Sequence, residues 1–141
     1  MTRILLRDES PRGSRAHLPL FAIRAVARRA LQEEGVARGE LSILVTGDRA
    51  IRRLNARWRG KDASTNVLSF PGRDRFIGDV VISVETCARQ GAETGSGFRY
   101  TFLFYLVHGI LHLLGHDHVR PTQARRMNAR TRAILEAAGE G

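Results

Sequence analysis

The chain has 141 residues, 43% of them hydrophobic and 6% aromatic, which fits a single domain able to bury a core of its own. Its formal net charge of +9 and pI near 11.4 favour a polyanionic partner, nucleic acid or an anionic membrane surface, over a neutral metabolite. Cys87 is the only cysteine, so an intramolecular disulfide and a cysteine-built metal site are both excluded. Lys61 is the only lysine; arginine suits bidentate phosphate contacts, and the bias also fits a GC-rich genome.

In chain order, Ile4–Leu6 is a short apolar run that predicts an edge strand. Leu18–Glu34 has helical spacing at Leu20, Ile23, Ala27 and Leu31 and stops at Gly35. Glu40–Thr46 reads as a strand, with Gly47-Asp48 as turn and helix cap. Asp48–Trp58 follows as a short helix with Ile51 and Leu54 inward. Asn66–Phe70 is a strand stopped by Pro71-Gly72, and Phe76–Ser83 is another, β-branched towards its end. Val84–Gln90 predicts a short helix. Phe98–Leu114 is a helix apolar almost all round, which places it inside the fold. Pro121–Ala138 closes the chain as an amphipathic helix, apolar at Ala124, Met127, Ile134 and Leu135. Strands mixed with helices, without regular βαβ repetition, predict an α+β fold with a small mixed sheet. The start carries no apolar stretch of signal-peptide length. The most apolar segment, Tyr100–Gly115, is shorter than the roughly 20 residues of a membrane span. A cytoplasmic protein without a membrane partner is expected.

The densest chemistry lies in His108-Gly-Ile-Leu-His112-Leu-Leu-Gly115-His116-Asp117-His118, which holds four of the chain's five histidines. Residues four apart on a helix project from one face, so His108 and His112 can grip one metal ion. Gly115 suits a left-handed helix end that lets the chain return and offer His118. Three imidazoles with an open fourth position describe a catalytic zinc site better than a structural one. Two histidines satisfied within a core are the simpler alternative, and the third histidine at its offset argues against it. His116 and Asp117 are candidates for proton relay or support of a ligand ring; the plain role of Asp117 is to cap the turn after Gly115. The spacing equals that of the metzincin proteases, which place a glutamate base after the first histidine. Here that position is Gly109, which transfers no proton, so the peptidase route lacks its base.

A second cluster, Asn55 to Asp62, packs Arg57, Arg59 and Lys61 ahead of a strand. These are either a solvated helix end whose charges suit the macrodipole or cations that bind a phosphate backbone and steady a transition state.

Together the clusters resemble the YbeY family of bacterial endoribonucleases. The likeness rests on H-G-x-L-H-L-x-G-x-D-H at 108–118, on Asn55 and Arg59, on the strand T-x-V-L-S-F-P at 65–71, and on G-D-V-V-I-S at 78–83. The resemblance implies one zinc ion held by His108, His112 and His118, and an arginine, Arg59, lining the cleft. It implies a single-strand-specific endoribonuclease that matures the 3′ end of small-subunit ribosomal RNA and serves ribosome quality control. Its partners would be ribosomal RNA and the small ribosomal subunit, with other assembly proteins as further candidates. Two departures stand out: Asn66 replaces the family's usual aspartate, and the last helix, with Arg125, Arg126, Arg130 and Arg132, is less acidic than usual. Zinc supplies Lewis acidity near neutral pH, and either water or the RNA 2′-OH can then be the nucleophile. The other readings are a non-catalytic zinc-containing assembly factor and a hydrolase of another substrate such as peptide.

Overall fold

The computed structural model describes residues 1–14 and 18–141. The elements run β1 (Thr2–Asp8), α1 (Leu20–Glu33), β2 (Gly39–Thr46), α2 (Asp48–Arg59), β3 (Val67–Pro71), β4 (Phe76–Ser83), α3 (Val84–Thr94), α4 (Phe98–Leu113) and α5 (Pro121–Ala137). The sheet order is β1-β2-β4-β3. β1, β2 and β4 are parallel, and β3 joins β4 antiparallel, giving the mixed sheet of an α+β fold. β1 is indeed an edge, but it pairs along its whole length and so runs beyond Ile4–Leu6.

Side-chain alternation divides the sheet between two layers. Leu41, Ile43 and Val45 of β2, with Val80 and Ile82 of β4, enter the main core beneath α1, α4 and α5. Leu44, Leu68 and Val81 point the other way and bury Ile51 of α2, with Leu54 partly covered beside it. α4 lies in the main layer, where Phe102, Leu103, Leu106, Val107, Ile110 and Leu111 are completely buried. An all-apolar helix needs protein on most sides, and α1, α3, α5 and the sheet supply it.

Two boundaries differ for tertiary reasons. α3 continues to Thr94 because Gly91 does not end it: a Cβ there would come within 2.5 Å of Gly97 O, so the glycine serves the close approach of α3 to the start of α4. At α2 the N-cap is Gly47, and the cap is supplied from elsewhere, Glu85 Oε1 accepting from Asp48 N at 2.8 Å. Asp48 instead reaches across, accepting from Ser83 Oγ at 2.7 Å and Thr86 Oγ1 at 2.6 Å and pairing with Arg89 at 2.8 Å. Burial pushes its pKa up, but these hydrogen bonds outweigh burial and the net shift is downward. The start of α2 is thus tied to the β4–α3 junction, and its far end carries Arg59 to the sheet edge.

Candidate active site

α4 ends where Gly115 takes a φ of +98°. His116 N donates to Leu111 O at 3.0 Å and Gly115 N to His112 O at 3.1 Å, the paired bonds of a Schellman motif. The chain therefore turns back on the helix it has just left, bringing His118 beside its last turns. The His118 ring centroid lies 4.7 Å from that of His112 and 6.4 Å from that of His108. Three imidazoles on one tetrahedral ion, with metal–nitrogen bonds of about 2.0–2.1 Å, stand roughly 5 Å apart by centroid. Among the described residues no three His, Cys, Asp or Glu groups are gathered at metal-binding distance. His118, exposed in a non-helical segment, stands at that centroid spacing from His112 and farther from His108.

His108 has the most constrained ring. Its Nδ1 lies 3.1 Å from Thr131 Oγ1, and that hydroxyl donates its one proton to Met127 O at 2.7 Å. The hydroxyl can then only accept, so Nδ1 carries the hydrogen and Nε2 is left with its lone pair, the tautomer a metal requires. Burial, with the neighbouring His118 and His112, pushes the His108 pKa down to about 4. His112 is also lowered, by burial first and then by His118 and Arg59, against an opposing pull from Asp117. Neutral imidazoles are the ligand form, so the donor set fits zinc in kind.

Gly109 acquires a structural reason. A Cβ there would sit 2.9 Å from the methyls of Val67 and Val80 and 3.1 Å from Ser69 Oγ. The position held by a glutamate in metzincins is here pressed against the sheet. Ser69 Oγ donates to Gly109 O at 2.8 Å, fastening β3 to the helix at this level.

Ser69 also connects the second cluster. Its carbonyl accepts from Arg59 Nη2, and the Arg59 guanidinium lies 5.2 Å from the centroid of the Phe70 ring. Arg59, Ser69, His112 and His118 share the walls of a cleft of about 440 Å³. A cation from the end of α2 thus faces two of the three histidines.

The remaining candidates are placed elsewhere. Arg57 lies over Trp58, 5.1 Å from the ring centroid, and lines a groove with Arg49, Arg52 and Arg53 on the outer face of α2. Lys61 is exposed in the following loop. His116 Nε2 is engaged by Glu34 Oε1, whose other oxygen accepts from Arg130 Nε at 2.8 Å. The His116 ring therefore bridges to α1 and α5 rather than lining the cleft. Burial raises the Glu34 pKa, but the bonds from Arg130 and His116 outweigh it and the carboxyl ends below its usual range. Asp117 Oδ1 accepts from His118 N at 2.7 Å, which is the turn-capping role. Asn66 Nδ2 donates to Gln90 Oε1 at 3.0 Å. Asn55 is buried and donates to Ala63 O at 2.9 Å, pinning the loop that follows α2.

Thr131 is the residue that pattern reading missed. It is fully buried and continues the stripe of Met127, Ile134 and Leu135; a hydroxyl on an otherwise apolar stripe was its available signal.

The profile described as endoribonuclease YbeY matches residues 13–139. An endoribonuclease YbeY of an Anaeromyxobacter species is 45% identical, over 96% of this chain and 72% of the relative. One from Geobacter metallireducens is 43% identical, over 83% of this chain and 87% of its own length. The solution structure of a Thermotoga maritima protein superposes with a TM-score of 0.68 at 24% identity, covering 98% of this chain and 89% of that one, which speaks to the fold. The chain is a member of the endoribonuclease YbeY family.

Proposed function

We propose that the chain is a zinc-dependent, single-strand-specific endoribonuclease that acts in the cytoplasm on the 3′ end of small-subunit ribosomal RNA and in ribosome quality control. The observation that carries this reading is the cleft in which Arg59 faces His112 and His118, with His108 adjoining. Membership of a family whose relatives are named endoribonucleases supports it, as does the +9 charge. No described helix is long and apolar enough to cross a membrane.

His108, His112 and His118 would hold the ion, which supplies Lewis acidity at a phosphate oxygen. Arg59 binds the phosphate and stabilises the charge that builds on it; its hydrogen bond to the Ser69 carbonyl and its place over Phe70 aim the guanidinium beforehand. Thr131 keeps His108 in the donor tautomer. Since Gly109 supplies no base and His116 is held by Glu34, the protein side chains around the cleft act chiefly by positioning and charge, which is what phosphodiester cleavage most needs.

The test treats a single-stranded ribosomal RNA fragment with the wild type, His112→Ala and Arg59→Ala, each with and without chelator, after circular dichroism has shown the variants folded. Cleavage lost on each substitution and on chelation, with RNA binding retained by His112→Ala, supports the reading. Cleavage that survives both substitutions and chelation overturns it. Binding without cleavage in the metal-loaded wild type would make the chain an assembly factor.

A further inference from the structure

Beside the histidine cleft, α4 carries aromatic side chains that the scheme above does not use. Tyr100, Phe104 and His108 follow at four-residue spacing, so their rings rise along one face. Phe104 is stacked on His108 with centroids 5.0 Å apart and planes at 25°. Tyr100 tilts against Phe104 at 6.0 Å, and Tyr105 meets His108 edge-on at 5.8 Å. Tyr100, Phe104 and Tyr105 stay partly exposed on a helix whose other large side chains are mostly enclosed. A cavity of about 280 Å³ opens over them, walled also by Gln90, Thr94 and Arg132.

We infer that this cavity is a nucleobase site, seating one unstacked base of a single-stranded RNA over the rings that pack against His108. The inference rests on the endoribonuclease reading and adds where a base goes. Aromatic faces receive a planar base, and Arg132 adds a cation at the rim. Gln90 accepts from Asn66 through Oε1, which fixes its amide and leaves the NH₂ as a donor for a base edge. A bare anion would gain nothing from the rings, and a purely apolar ligand would leave Arg132 and the amide unused. A double helix keeps its bases stacked and offers none to this wall, so the site accounts for a single-strand preference.

The test is fluorescence anisotropy with a labelled oligouridylate decamer and its abasic counterpart, at two salt concentrations, using the wild type, Tyr100→Leu and Phe104→Leu. Base–aromatic stacking predicts about ten-fold weaker decamer binding for the leucine variants with an unchanged salt slope. The wild type should bind the abasic decamer about as weakly as those variants bind the full one, an arm that needs no substitution. Leucine variants that match the wild type on the full decamer, or a wild type indifferent to base removal, overturn the inference while leaving RNA binding intact. A wild type that binds neither oligomer overturns the endoribonuclease reading with it.

Discussion

Thr131→Val removes one hydroxyl from the core and keeps the shape of the side chain. In the wild type that hydroxyl accepts from His108 Nδ1 at 3.1 Å and donates to Met127 O at 2.7 Å. Valine forfeits both bonds. Met127 O still accepts its helical N–H, and valine's greater apolarity offsets part of the loss, so the metal-free protein should lose no more than about 1–2 kcal/mol. The larger effect falls on His108, because a partly buried Nδ1–H without an acceptor costs about 1–3 kcal/mol. The ring escapes by moving the proton to Nε2, where it blocks the ligand lone pair. Zinc affinity should therefore fall roughly 10- to 100-fold. The assay is competition against a chromophoric chelator, with thermal unfolding of the metal-free protein alongside. Thr131→Ser keeps the hydroxyl and should bind zinc within a few-fold of wild type. Zinc affinity unchanged in Thr131→Val would show that the Thr131 hydroxyl does not set the His108 tautomer.

Gly109→Ala should destabilise by up to about 2 kcal/mol in urea unfolding: overpacking against the stiff β-branched Val67 and Val80 costs about 1–3 kcal/mol, less about 1 kcal/mol of helix propensity. Stability above wild type would show that α4 and the sheet are looser than these distances. In the metal-free protein the His108 imidazole should titrate near 4 rather than 6.5 by NMR. Below pH 6.5 the unfolded chain then binds the proton that the folded one refuses, so stability falls as the pH drops from 6.5 towards 4; His108→Gln should lack that component, and an ordinary His108 titration would contradict it.

What was readable in advance was local. His108 and His112 share a face because four residues make about one turn, and Gly115 closes the helix through its own backbone, so both follow from a dozen consecutive residues. The alternating strands and the apolar α4 were readable for the same reason. Gly109 looked like a lost base; its cause, contact with Val67 and Val80, depends on which strands α4 lies against. Neither the β1-β2-β4-β3 order nor Gly91 as a packing residue follows from periodicity. His116 and Thr131 turn on partners 82 and 23 residues away. Arg57 and Arg59 are two residues apart in sequence, and the twist of α2 puts only Arg59 in the histidine cleft. Charge density alone marked only the helix end; the family resemblance pointed to Arg59, and the fold places Arg59 rather than Arg57 in the cleft.

The proposed centre joins the three histidines and Arg59 in one metal-dependent site that cuts RNA. Its most direct measurement is the cleavage rate of a single-stranded ribosomal RNA fragment as chelated, metal-free protein is titrated with zinc. Activity should rise to a plateau at about one ion per chain in the wild type, while Arg59→Ala binds the ion and stays at least about 100-fold slower. A rate independent of added zinc, or an Arg59→Ala curve that overlays the wild type, would show that these residues do not form such a centre.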